Sequence, residues 1–171
     1  QFNRYHIEPG NLDPGAGNSI NPVNLGQELG DEWSVYGSAD VSTSPKLTLS
    51  TGFRLSQFNL VGPYEEARYD ADQNYENSVQ YQSGERVVSY TYPEPRLGLN
   101  WMVGERASFK ASYARMYQYI QNIYNTNTPL PTSRWKISDR YVKPQQNDTY
   151  GFGFYKDFDG QGLELSAETY Y

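Results

Sequence analysis

The stretch Trp33-Ser34-Val35-Tyr36-Gly37-Ser38-Ala39-Asp40-Val41-Ser42, a break at Thr43-Ser44-Pro45, then Lys46-Leu47-Thr48-Leu49-Ser50-Thr51-Gly52-Phe53-Arg54-Leu55-Ser56 decides the fold. Odd positions carry the large apolar side chains and even positions the small or polar ones. Successive strand residues point to opposite faces, so this alternation reads as two antiparallel strands with one apolar and one polar face. Leu97, Leu99, Trp101 and Val103 repeat it against Arg96, Gly98, Asn100 and Met102. After a turn at Gly104-Glu105-Arg106, Ala107, Phe109, Ala111, Tyr113, Tyr117 and Tyr119 alternate with Ser108, Lys110, Ser112, Ala114, Met116 and Gln118. Arg115 interrupts that apolar face, which suggests a bulge or the edge of a membrane. Tyr150, Phe152, Phe154 and Phe158 make a fifth strand, and Leu163, Leu165, Ala167 and Thr169 a sixth, joined by a hairpin signal at Asp159-Gly160.

The connections alternate too. Short turns fall near residues 43–45, 103–106 and 159–161, and long polar connections near 61–90 and 120–146. Short turns then lie at one end of the sheet and long loops at the other. Short periplasmic turns, long extracellular loops and apolar-out, polar-in strands are the pattern of an outer-membrane barrel. The expected fold is all-β: an antiparallel up-and-down transmembrane barrel segment of about six strands. Residues 1–30 are expected to be an extracellular loop segment, and 31–171 part of the barrel. Val79, Tyr81, Arg86, Val87, Val88 and Tyr90 leave room for a further strand inside the first long loop. Six strands do not close a spanning barrel, and an open edge cannot face lipid. The chain is therefore expected to be a segment of a longer barrel.

Composition fits. Leu, Ile, Val and Phe make up only 33 of 171 residues, while 17 are Tyr. No helix-length apolar run exists, so no transmembrane helix is expected. Zero cysteine excludes disulfides, thiolate metal sites and cysteine nucleophiles. A net charge of -6 argues against a general nucleic-acid binder. His6, the lone histidine, has no visible partner for a triad or metal site.

Glu94-Pro95-Arg96-Leu97, Ser108-Phe109-Lys110-Ala111-Ser112-Tyr113, Arg115-Met116 and Gln118-Tyr119-Ile120 carry a resemblance. So do Gly62-Pro63-Tyr64, Asn125-Thr126, Thr128-Pro129-Leu130-Pro131, Trp135, Lys143-Pro144-Gln145 and Glu168-Thr169-Tyr170-Tyr171. In this order they resemble a TonB-dependent outer-membrane receptor, of the large type with a carboxypeptidase-regulatory-like N-terminal domain that includes SusC-related transporters. The resemblance runs from about Glu32 to Tyr171. It implies nutrient import through a plugged barrel of 22 strands, with a glycan, peptide or metal chelate as substrate. The implied partners are outer-membrane lipid, the rest of the barrel and plug, TonB with ExbB and ExbD acting through that plug, and a surface lipoprotein lid. It implies no enzyme, no cofactor and no nucleic acid. Neither plug nor TonB-contacting segment is expected within these residues.

Arg54, Arg96, Asn100, Lys110 and Gln118 have the polar parity and are candidates to face plug or substrate, or simply a hydrated wall. Tyr119, Tyr124, Trp135 and Tyr141, with Tyr117, flank the second long loop. Amphipathic rings suit a membrane girdle, loop packing or ligand stacking. Asp70-x-Asp72-x-Asn74-x-Glu76 opens like a calcium loop, but Tyr75 and Tyr81 stand where such a loop needs Gly and Glu. A solvated acidic loop is the simpler reading. Two other functions remain open on the residues alone: a small outer-membrane barrel acting as an adhesin or structural protein, and a soluble carbohydrate-binding β-sandwich.

Overall fold

A computed structural model describes residues 1–8, 10–12, 15, 23–24, 26–123, 134–158 and 162–171. Thirteen strands and no helix occur among them. They are β1 Phe2–Ile7, β2 Asn11–Leu12, β3 Val23–Asn24, β4 Glu28–Ser44, β5 Leu47–Val61, β6 Tyr64–Tyr69, β7 Tyr75–Tyr81, β8 Arg86–Met102, β9 Ala107–Gln118, β10 Ile120–Ile123, β11 Arg134–Ile137, β12 Gln145–Phe158 and β13 Leu163–Tyr170. One seven-stranded sheet runs β1-β4-β5-β8-β9-β12-β13, and β2-β3, β6-β7 and β10-β11 form separate two-stranded pairs.

All six expected strands are present, several of them longer than the alternation marks. β4 and β8 have 17 residues each and β5 has 15. A tilted strand needs only about 9–11 residues to cross a membrane. The seventh, β1, pairs antiparallel with β4, Phe2 opposite Trp33 and Ile7 opposite Glu28. The local composition, dominated by Pro9-Gly10 and Asp13-Pro14-Gly15, predicts a loop here instead. Phe2, Arg4 and His6 against Asn3, Tyr5 and Ile7 is too short and too polar a run to announce a strand. The Arg4 Nε–Asp31 Oδ1 contact of 2.8 Å is a cross-strand pair that only the fold reveals. Residues expected as a possible extra strand divide between β7 and the start of β8.

Chain contacts divide the molecule into two compact units. One comprises Gln1–Trp33, Gln57–Thr91 and Gln118–Gln145 and holds the long connections. The other comprises Ser34–Ser56, Tyr92–Tyr117 and Gln146–Tyr171 and holds the short turns. The turn at Pro45-Lys46 follows the end of β4, and Gly104 supplies the left-handed residue (φ 78°) of the β8–β9 turn. The hairpin signal at Asp159-Gly160 lies outside the described residues.

The buried hydrophobic residues Phe58, Leu60, Val87, Tyr119 and Ile137 all belong to the loop-bearing unit. Phe58 stacks on Tyr119 with ring centroids 4.8 Å apart and an interplanar angle of 9°. In the turn-bearing unit the sheet has two faces and little cover. Leu97 pairs with Tyr113, Leu99 with Ala111 and Trp101 with Phe109, so large side chains share one face. Phe152 pairs with Thr169 and Phe154 with Ala167 on β12 and β13. Phe109 meets Phe154 at 4.9 Å, and Tyr113 meets Tyr150 at 5.0 Å. Val35, Phe53, Leu97, Trp101, Phe109 and Phe152 remain exposed. Contiguous apolar exposure on this scale marks a surface that meets something other than water.

Candidate functional site

The polar face of the turn-bearing unit is built from β5, β8, β9, β12 and β13. Asn100 pairs with Lys110, and Gly98 with Ser112, so those four share one face. Arg96 lies beside Gly52 on that face, where an added Cβ would meet the Arg96 Cβ at 3.5 Å. Arg54 Nη1 lies 3.9 Å from Glu94 Oε2, and the Ser56 hydroxyl donates to Glu94 Oε1 at 2.6 Å. Glu94 is buried, so this pair of donors offsets the cost of placing its charge away from water. The sheet therefore gathers Arg54, Arg96, Asn100 and Lys110 on one face.

Glycines leave a hollow in this face. Gly98, Gly151 and Gly153 line a groove of about 260 Å³ with Ser50, Asn100, Lys110, Tyr155 and Glu168. A Cβ at Gly151 would stand 2.7 Å from the Ser112 hydroxyl, so only glycine fits without a shift. Lys110 Nζ sits 4.6 Å from the centre of the Tyr155 ring, within cation–π range. The Tyr155 and Tyr170 hydroxyls both donate to the Glu168 carboxylate. Sequence reading missed Glu94, Tyr155, Glu168 and Tyr170. The signal was available, since Glu94 shares the parity of Arg96, and Glu168 and Tyr170 that of Glu164 and Ser166.

On the apolar face, Arg115 Nε lies 2.7 Å from Asp148 Oδ1, and the Tyr113 hydroxyl donates to the same oxygen at 2.8 Å. Gln146 Nε2 donates to Asp148 Oδ2 at 2.6 Å. Arg115 is eight residues beyond Ala107, about 27 Å along the strand and about 20 Å in height at an ordinary tilt. That distance approaches the roughly 25 Å apolar band of an outer-membrane barrel. Arg115 thus stands where a membrane edge is expected, already paired.

The loop-bearing unit holds a second polar cluster. Gln118 lies there, its amide donating to the Ile120 carbonyl at 2.6 Å. Lys136, nearly buried, contacts Glu28 Oε1 at 2.5 Å and Asp139 Oδ2 at 2.9 Å. The Ile137 amide donates to Glu28 Oε2 at 2.7 Å. The Tyr64 hydroxyl donates to Asp139 Oδ2 at 3.2 Å, and that of Tyr90 to the Asp139 carbonyl at 2.7 Å. Glu66, also buried, takes Arg140 Nε at 3.0 Å and Arg68 Nε at 3.5 Å. Burial pushes the Tyr64 phenol up to about 12, with Lys136 pulling against it. Burial lowers the Lys136 ammonium, but the bond and charge of Glu28, with Tyr64 and Asp139, together outweigh this and leave it above the ordinary lysine value. Burial also works to raise the Asp139 carboxyl, yet amide donors at Val142 and Tyr141 and the Lys136 ammonium hold it below the usual range. No local pattern could announce this cluster.

Among the expected loop aromatics, Tyr119 is buried in the stack on Phe58. Trp135 and Tyr141 are exposed. Tyr124 lies outside the described residues, as do Asn125-Thr126 and Thr128-Pro129-Leu130-Pro131. The Asp70 carboxylate closes its own turn. Oδ1 accepts from the amides of Asp72 at 2.9 Å and Asn74 at 2.8 Å, and Oδ2 from the Asn74 side chain at 3.3 Å. The Asn74 amide, with help from Asp72, holds that carboxyl below its ordinary range. Asp70, Asp72 and Asn74 thus form an Asx-type turn, and Glu76 lies beyond it in β7. No group of three or more acidic, His or Cys residues gathered for a metal occurs among the described residues.

A comparison with known protein families finds the TonB dependent receptor-like, beta-barrel family over residues 1–171. The chain belongs to the TonB-dependent receptor β-barrel family. No curated protein and no solved structure matches it. The family is one of bacterial outer-membrane receptors and transporters. The bare apolar face of this receptor segment is thereby explained as the lipid-facing side of a barrel wall. The match includes residues 1–30.

Proposed function

We propose that this segment is wall and loop of a plugged barrel that imports a nutrient across the outer membrane. The observation that carries the reading is the two-faced sheet of the turn-bearing unit. Its apolar side is aromatic and bare, and its other side is polar and hollowed by glycines. On this reading Arg54, Arg96, Asn100 and Lys110 face the plug or the passing substrate. Short turns point to the periplasm and the long connections to the outside. Energy comes from TonB with ExbB and ExbD, acting through a plug. The loop side would also be the docking side for a surface lipoprotein lid in a SusC-related system. The substrate belongs to the class of glycans, peptides or metal chelates.

This chain contains no cysteine, so single cysteines placed in it test the orientation once any elsewhere in the protein are replaced by serine. Ser83→Cys in the long connection and Glu105→Cys in the short turn are introduced singly into the outer-membrane protein that carries this chain. A membrane-impermeant maleimide should label position 83 on intact cells, and position 105 only after permeabilisation. The reverse pattern would overturn the orientation. Uptake that persists without TonB would overturn the transport reading.

A further inference from the structure

The β6–β7 hairpin ends in a cluster of tyrosines that the packing leaves bare. Tyr69 and Tyr75 are partners across the hairpin, past a register shift at Arg68/Tyr69. Their rings meet edge-on, 6.3 Å apart at 79°. Tyr141 meets Tyr69 the same way, 5.6 Å apart at 81°. These three rings are 49%, 62% and 52% exposed respectively. A ring nearly perpendicular to both neighbours makes a corner, not a flat shelf. Corners of aromatic faces suit a compact cation, which is drawn to the negative face of each ring. A sugar ring is better served by one broad plane.

Charge points the same way. Residues 64–81 contain Glu65, Glu66, Asp70, Asp72 and Glu76 but a single cation, Arg68. Arg68 turns on Glu66, as does Arg140. Asp70 is occupied within its own turn. The Glu65, Asp72 and Glu76 carboxylates take part in no ion pair among the described residues. Asp72 lies in the turn joining Tyr69 to Tyr75, and Glu76 follows Tyr75 directly. The hairpin is also held at its base, through Tyr64 to Asp139 and Glu66 to Arg140, so its tip is presented in an ordered form.

The geometry points to the Tyr69–Tyr75–Tyr141 corner, with Asp72 and Glu76 on its rim, as a docking site for a basic polypeptide segment bearing lysine or arginine side chains. The inference rests on the reading of this hairpin as an external loop. It adds the class of partner that such a loop would capture.

The test uses the whole outer-membrane protein in detergent, with fluorescent hexalysine amide as probe and maltohexaose as a neutral comparison. Hexalysine should bind, and more weakly as salt rises. Asp72→Asn with Glu76→Gln should weaken it about tenfold. Tyr75→Leu or Tyr141→Leu keeps apolar bulk but removes the ring, and should weaken it about two- to fivefold. Heat-modifiable gel mobility shows whether each variant is folded. Absence of hexalysine binding overturns the proposal. So does binding indifferent to both tyrosines, which would be charge alone, or maltohexaose binding that depends on the same residues. Hexalysine binding with TonB-independent uptake would sink only the transport reading, whereas uptake without hexalysine binding would sink only this one.

Discussion

Lys136 Nζ lies 2.5 Å from Glu28 Oε1, although 108 residues separate the two in the chain. The contact joins the start of β4 to the end of the β10–β11 hairpin. Glu28 accepts from the Ile137 amide with its other oxygen, so one carboxylate ties both side chain and backbone of β11. Buried ion pairs are costly to assemble but costlier to break, because the orphaned partner stays away from water.

Lys136→Met should therefore destabilise the loop-bearing unit by about 3 kcal/mol or more. It leaves Glu28 and Asp139 facing each other without the cation between them. Glu28→Gln keeps an oxygen for the Ile137 amide and should cost less. Limited proteolysis of the long connections measures both, and equal protection in wild type and Lys136→Met would refute the lock.

The same cluster sets a pH window. Asp139 is held below its ordinary value, so its stabilising contribution is present above the ordinary carboxylate range and lost as pH falls through its folded value. Tyr64 and Lys136 are raised, so theirs is complete below their ordinary values and lost on the alkaline side. Loop protection should hold at neutral pH and fall at both extremes. Tyr64→Phe should flatten the alkaline limb, and Asp139→Asn the acid one, in hydrogen exchange followed against pH.

Gly30 sets a steric limit. A Cβ there would lie 2.8 Å from Phe58 Cε2 and Cζ. Phe58 is fully buried and stacked on Tyr119, so it has little room to give. Gly30→Ala should cost about 1–3 kcal/mol through overpacking. Gly30→Ala with Phe58→Leu should cost less than the two changes summed, in a double-mutant cycle read by thermal unfolding. Strict additivity would argue against the contact.

The two faces of β8 and β9 should respond oppositely to charge. Ala111→Arg places a cation on the lipid side, opposite Leu99, and should destabilise the inserted protein by about 2–4 kcal/mol at mid-depth. Asn100→Arg adds one on the polar side and should be tolerated. The folded fraction in bilayers, read by gel mobility, compares them, and equal sensitivity would mean the faces are misassigned.

At the membrane edge, Asp148→Ala should leave Arg115 without its 2.7 Å partner on an otherwise apolar face. Destabilisation is expected to exceed that of Arg115→Ala with Asp148→Ala. A single change harmless by thermal unfolding would show that water already serves Arg115.

Most of the wall was legible in the residue order. Alternation from Trp33 to Leu55 and from Leu97 to Val103 is a local property, because a strand's side-chain parity follows from its own backbone geometry. Turn positions were equally local, resting on Pro45, Gly104 and their neighbours. Parity also placed Arg54, Arg96, Asn100 and Lys110 on one face. It could not say that Glu94 takes Arg54 and Ser56, or that glycines on two strands far apart in the chain line one groove.

What the sequence determined by itself was the two-faced sheet, its alternating connections and its family, all written in short-range order. Tertiary structure alone decided that Phe2–Ile7 pairs as a strand with β4 and that Tyr119 is buried while Tyr141 is bare. It alone brought Glu28 to Lys136 and set Tyr69 against Tyr75 and Tyr141. Period-two alternation reports which side of a strand a residue is on, whereas burial and ion pairing depend on which distant segment arrives to cover it.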